Sequence, residues 1–309
     1  MSEAQLDSIV ERIDEMRAGW SEQTDLAAMR ADLDGLYTSF AGVTGARVEA
    51  FEADGVVVDR LLAPGSNADR TVLLFHGGGF SMGSARSHRH LAQWISRAVG
   101  CCVLIPDYRL APEHLYPAQL EDARTVYDWL LARGHEPRSV ALAGDSAGGG
   151  LALALIADLQ RSNGPLPACA CLMSPWLDLE CRGRSYRSRA ELDPVATREM
   201  ALGMGRGYVG PEGDLTDPLA SPINLDFSGF PPLLMQVGSR EIFLDDAVSA
   251  AASARRAGVA VELREWPGMI HQWHLYAAEL DEARQAIAEQ GAFLRAHLRS
   301  HKTDHGQSH

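Results

Sequence analysis

The chain opens on a helical period. Leu6, Ile9, Val10, Ile13, Met16 and Trp20 recur at steps of three and four, so one apolar stripe must lie against another element. In VEAFEADGVVVDRLLAP the period drops to two on both sides of Asp54-Gly55, the pattern of a hairpin closed by a tight turn. Beyond it, short and nearly continuous apolar runs alternate with helical stretches. The runs are TVLLF (71 to 75), CCVLIP (101 to 106), SVALAG (139 to 144), ACACLMS (168 to 174), PLLMQV (232 to 237) and VAVELREW (259 to 266). Such runs are strands buried on both faces, and their alternation with helices predicts a mostly parallel sheet covered on both sides. With the hairpin they make eight strands in a single α/β domain.

One connection breaks the rhythm. Residues 177 to 230 separate two strands where a handful of residues would suffice, and they include a Met-rich helical stretch, ATREMALGMGRGYVG. An insertion over the C-terminal edge of the sheet is expected, joined by the N-terminal helix to form a lid where open α/β sheets bind ligands. Met200, Met204, Tyr208 and Leu or Met residues of the N-terminal helix are candidate pocket walls. The polar tail, HKTDHGQSH (301 to 309), reads as flexible rather than metal-binding.

Charge narrows the partners. Lys and Arg number 28 against 41 Asp and Glu, and the formal charge of −13 opposes nucleic acid and anionic membranes, leaving a small neutral molecule as the expected substrate. No run approaches the roughly 18 apolar residues of a membrane span. The first twenty residues carry neither a basic start nor an apolar core, so a cytoplasmic protein is expected. Of the five cysteines, four sit inside apolar runs without histidines at metal-ligand spacing, and all are read as buried thiols. No metal or other cofactor is expected.

Two Gly-x-Ser-x-Gly matches compete for a nucleophile. GFSMG centres on Ser81 and GDSAG on Ser146. A nucleophile elbow turns sharply from strand into helix, so the serine needs small neighbours. Ser146 follows the fifth strand directly, precedes Ala147, and has Gly148 to Gly150 to bring the helix close to the sheet. Ser81 is flanked by Phe80 and Met82, follows the third strand, and is separated from the next helical pattern by the polar GSARSHR. Ser146 is therefore the expected nucleophile, and the overlapping HGGG stretch (76 to 79) takes a different task. Its glycines expose backbone N–H groups that, with the N–H of Ala147, can stabilise a tetrahedral oxyanion.

Chain order in such enzymes is serine, acid, histidine. Of 11 histidines, only His271 and His274 lie between the last strand and the last helix, and His271, just after Pro267-Gly268, is expected to be the base. Glu241, Asp245 and Asp246 compete for the acid. Glu241 lies nearest the strand end, whereas the two aspartates fall where the next helix starts and can serve its N-terminus.

Six blocks in order, HGGGF, DYRLAPEHLYPA, GDSAGG, SPWLDL, VGSREIFLDDA and GMIHQW, make the chain resemble the microbial hormone-sensitive lipase family of α/β-hydrolases. The resemblance covers most of the chain. It implies Ser146 as nucleophile, His271 as base, and Gly78 and Gly79 as oxyanion donors beside Ala147, with a cap built from about 1–45 and 177–230. Many members carry Asp where this chain has Glu241; a branch that resembles it here uses glutamate and includes monoterpene lactone hydrolases. Asp107 and Arg109 are expected to organise the oxyanion loop. The reading implied is a serine carboxylesterase for small neutral esters or lactones, with an amidase or peptidase or a non-catalytic ligand-binding protein as alternatives, and with a homodimer through VAVELREW.

Overall fold

In the computed structural model, which describes residues 3–21 and 23–299, the apolar runs form one eight-stranded sheet in the order β1-β2-β4-β3-β5-β6-β7-β8. The strands are β1 (Arg47–Ala53), β2 (Val56–Leu62), β3 (Asn67–Phe75), β4 (Cys101–Pro106), β5 (Val140–Asp145), β6 (Ala170–Met173), β7 (Leu233–Gly238) and β8 (Val261–Trp266). β2 runs antiparallel to β1 and β4, and every other pairing is parallel. The expected hairpin turn is present: Asp54 and Gly55 both take positive φ, 48° and 95°, as a two-residue turn between right-twisted strands requires.

Alternation along the central strands feeds two cores. In β5, Val140 and Leu142 join the apolar cluster of α4 (Ala118–Ala132), α5 (Ala147–Arg161) and α8 (Leu244–Arg256). Ala141 and Ala143 face the cluster of α3 (Ala85–Val99) and α9 (Asp281–His297) on the other side. The N-terminal stripe joins that second cluster, with Leu6, Ile9 and Ile13 of α1 (Glu3–Ala18) and Leu33 and Tyr37 of α2 (Leu26–Thr38) buried in it. The long connection between β6 and β7 carries a short helix, α6 (Ser185–Ser188), and the Met-rich helix α7 (Arg198–Val209), which Thr197 caps. All five cysteines are buried free thiols.

β8, expected to be buried on both faces, is an edge strand whose residues are half-buried or exposed, and two element starts lie four residues or more from expectation. β3 starts four residues early because Asn67–Arg70 extends the strand across a register shift against β4. α3 begins at Ala85, inside the polar GSARSHR, because Ser84 and Ser87 form a reciprocal capping box that starts the helix without apolar residues. The tail expected to be flexible, 301–309, lies outside the described residues. No helix among the described residues is long and apolar enough to cross a membrane.

Candidate active site

The turn from β5 into α5 is made by the glycines around Ser146. A Cβ on Gly144 would strike the Gly148 carbonyl, and one on Gly148 would strike the carbonyls of Phe75 and His76, so only glycine lets α5 start against the sheet. Ser146 itself takes φ 53° and ψ −121°, a conformation an L-residue adopts only under constraint. Its N–H bonds to the Met173 carbonyl (2.9 Å) and its carbonyl accepts from Trp176 (3.0 Å), which fixes the turn to the end of β6.

From this turn a line of hydrogen bonds runs across the sheet edge. Ser146 Oγ lies 2.9 Å from His271 Nε2, and His271 Nδ1 lies 2.8 Å from Glu241 Oε2. All three residues are buried. An ionised Glu241 can only accept, so the proton belongs on Nδ1 and Nε2 is left to accept the serine hydroxyl. The other Glu241 oxygen accepts from Ser174 Oγ (2.9 Å) and from the Gly238 N–H. Burial raises the Glu241 pKa above the ordinary glutamate range, against the opposing pull of His271 and the Gly238 N–H. The Phe243 ring packs on His271 at 4.6 Å between centroids.

The competing acids have other tasks. Asp245 accepts from the Ser185 N–H (3.0 Å), tying α6 to the start of α8. Asp246 accepts from the N–H groups of Leu177 (2.9 Å) and Asp178 (3.0 Å) and from the Tyr186 hydroxyl (2.9 Å), and burial pushes its pKa to about 8. His274 faces away: its Nε2 lies 3.0 Å from Gln236 Oε1, and burial lowers its pKa to about 3.

Beside Ser146, Gly78 and Gly79 turn with φ of 117° and 62°. A Cβ on Gly78 would hit the Met82 carbonyl, and one on Gly79 would hit the Met204 sulfur. Among the described residues, no acceptor is paired with the N–H groups of Gly78, Gly79 or Ala147. Gly78 and Gly79 line one cavity with Ser146, and unpaired N–H donors in such a place can receive negative charge. The Ser81 carbonyl accepts from Arg30 Nε (2.7 Å) of α2.

The DYR segment corrects the expectation made for it. Arg109 pairs with Asp122 (2.8 Å) and Glu121 (2.9 Å) and anchors α4 rather than the glycine loop. Asp107 accepts from the Ala85 N–H (2.9 Å) at the start of α3. Between them Tyr108, with no signal in its spacing, holds the loop: its hydroxyl donates to the His76 carbonyl (2.7 Å) and its ring stacks on His76 at 4.1 Å.

Above the serine lies a narrow apolar cavity of about 70 Å³. Ile13 and Met16 of α1, Leu33 and Tyr37 of α2, and Met200 and Met204 of α7 line it, so both segments expected to cover the sheet edge contribute walls. Tyr208 does not line it; it stacks behind Phe80 at 3.8 Å, inside the core. Sequence reasoning passed over Asp193, a buried carboxylate from the 177–230 connection. It accepts from the N–H groups of Ile242, Val195 and Ala196, at 2.9, 2.9 and 3.1 Å. It also passed over Gln272, whose only signal is its place after His271.

This arrangement of fold and site defines a class. A family model described as alpha/beta hydrolase fold matches residues 72–275, and the chain belongs to that family. Its likeness to solved structures is to esterases: one from the bacterial hormone-sensitive lipase family is 39% identical with a TM-score of 0.93, covering 97% of this chain and 100% of that one. Among curated relatives, an acetyl-hydrolase of Streptomyces hygroscopicus is 45% identical over 236 residues, 75% of this chain and 77% of that protein. The putative acetyl-hydrolase LipR of Mycobacterium tuberculosis is 37% identical over 278 residues, 90% of each chain. The resemblance read from the six motif blocks therefore holds.

Proposed function

We propose that the protein is a serine carboxylesterase for small neutral acyl esters, lactones among them. Ser146 is the nucleophile, His271 the base, Glu241 the acid that orients it, and Gly78, Gly79 and Ala147 the oxyanion donors. The observation that carries this reading is the unbroken hydrogen-bonded line from Ser146 through His271 to Glu241 at the floor of an apolar cavity. Relatives named esterase and acetyl-hydrolase agree with it.

His271 Nε2 takes the hydroxyl proton as Ser146 Oγ attacks the carbonyl carbon. The oxyanion forms against the three N–H groups, and Glu241 stabilises the imidazolium without taking its proton. Collapse breaks the C–O bond, and His271 returns the proton to the departing alkoxide. The acyl-serine is then hydrolysed by a water that His271 deprotonates, which restores the free serine. In a lactone the leaving alkoxide stays tethered to the acyl group, and the bookkeeping of protons is unchanged. Side chains supply nucleophile, base and acid, so no step calls for a cofactor.

In the same reading residues 1 to about 45 and 177 to 230 form a cap, which the walls given by α1, α2 and α7 support. Met204 against Gly79 leaves little room beside the oxyanion loop, which favours short acyl groups. The homodimer expected through β8 belongs to this reading too, since β8 ends the sheet; light scattering in solution tests it.

A panel of p-nitrophenyl acetate, butyrate and longer esters, lactones and matched amides tests the function. Rapid turnover of the short esters, abolished in Ser146→Ala, is expected. Amide turnover matching that of esters would contradict the esterase reading, and activity unchanged in Ser146→Ala would contradict the mechanism.

A further inference from the structure

Beside the oxyanion loop runs a buried polar chain that the mechanism above does not use, although two of its members, Tyr37 and Gln272, also line the cavity. Asp145, the residue before Ser146, is fully buried, yet its carboxylate is well supplied with donors. Oδ1 accepts from the Gly77 N–H (3.0 Å), and Oδ2 accepts from Gln272 Nε2 and lies 3.2 Å from His88 Nε2. Gln272 Oε1 in turn accepts from the Tyr37 hydroxyl (3.1 Å), and Tyr37 belongs to α2. Donor and acceptor are thus assigned along the whole chain: the phenol donates to the amide oxygen, so the amide nitrogen faces the carboxylate.

Gln272 holds an uncommon backbone as well. Its φ is 58°, the left-handed region, and no glycine is there to make that easy. Three tethers hold it: its N–H donates to Ser174 Oγ (3.1 Å), and its side chain is bonded at both ends. Ser174 Oγ is the group that donates to Glu241, and His271 is the residue before Gln272. Gly77 completes the contact, because a Cβ there would run into both the Gln272 amide and the Asp145 carboxylate. One carboxamide therefore touches the serine turn, the oxyanion loop, the histidine loop and α2.

We propose that Gln272 is a positioning residue, and that the Tyr37–Gln272–Asp145 relay couples the seating of α2 to the geometry of the oxyanion loop and of His271. On this view α2 sets the rate of turnover in addition to shaping the cavity. Misplacing a reacting group by about an ångström can cost about 100-fold in rate, so a relay of this kind has room to act. The inference rests on the ester-hydrolase reading above.

The test measures kcat and KM for p-nitrophenyl butyrate in wild type, Tyr37→Phe, Gln272→Leu and the double variant, with Ser146→Ala as control. Melting temperatures and the rate of inactivation by a p-nitrophenyl phosphonate, whose phosphoryl oxygen occupies the oxyanion position, accompany the kinetics. Tyr37→Phe removes one oxygen and keeps the cavity wall; a fall in kcat of about threefold to tenfold is expected, with KM within twofold. Gln272→Leu should lower kcat by about 10- to 100-fold and slow phosphonylation in parallel. The double variant should be no slower than Gln272→Leu, because the phenol acts through the amide. Wild-type kcat in Tyr37→Phe, or losses that multiply in the double variant, would overturn the proposal. If Gln272→Leu does not fold, Tyr37→Phe alone decides. Loss of the esterase reading itself shows separately, as wild type without turnover or Ser146→Ala with it.

Discussion

Ser146 presents its hydroxyl to His271 from a backbone at φ 53°, and that one strained residue brings the elements of the site to a common point. Glu241, not Asp245, completes the line, and the two can be separated by experiment. In Glu241→Gln the Gly238 N–H and Ser174 hydroxyl claim the amide oxygen and leave an NH2 donor facing His271 Nδ1, which selects the wrong tautomer, and a loss in kcat of about 10⁴-fold is expected, by analogy with the equivalent change in a serine protease. Asp245→Asn loosens only the contact to Ser185 and should keep kcat within several-fold. Steady-state kinetics of the two variants check this; the opposite order would move the acid to Asp245. Ser146, His271 and Glu241 were all legible, because each sits in a loop that directly follows a strand and their chain order is constrained. Tyr37, His88, Tyr108 and Asp193 were not. They meet the site from elements far away in sequence, and a buried tyrosine or carboxylate at ordinary spacing gives no sign of which loop it will reach.

At the scale of elements, β4, β5, β6 and β7 were readable because burial on both faces leaves uninterrupted apolar runs. The start of α3 was not, because a capping box of serines builds a helix end from residues that read as loop. Glycines carry the same lesson in opposite directions. Gly148 is a packing requirement: Gly148→Ala should cost about 1–3 kcal/mol from overpacking against β3 and displace the serine turn. Gly203, exposed in α7 with nothing within 4 Å of an added Cβ, is a helix defect. Gly203→Ala should stabilise the protein by about 0.5–1 kcal/mol. Urea or thermal unfolding of both variants measures the contrast, and equal effects would contradict this division.

At the scale of the molecule, buried ionisable groups link stability to pH. Asp246 is raised from 3.8 to about 8 in the folded protein. Between those values the folded state keeps a proton that the unfolded state releases, so this group's stabilising contribution is full below about pH 4 and declines as pH rises toward 8. Asp246→Asn stands in for the protonated form. The melting temperature of the variant relative to wild type should therefore climb from pH 4 to pH 8, and a difference independent of pH would show that Asp246 is not the titrating group. The buried histidines act in the opposite sense: His76 and His274, lowered to about 3, and His90, lowered to about 4, favour folding above their ordinary 6.5 and cost stability as pH falls below it. None of this was visible in the net charge of −13, which speaks to partners and not to which groups the fold buries.

The central claim is that Ser146, and not the overlapping motif at Ser81, is the nucleophile. Treatment with a p-nitrophenyl phosphonate, followed by peptide mass spectrometry, reads the attacking oxygen directly. One phosphonyl group per chain on the peptide carrying Ser146, with esterase activity lost in proportion, is the result predicted; a label on Ser81, or full labelling with activity retained, would contradict it.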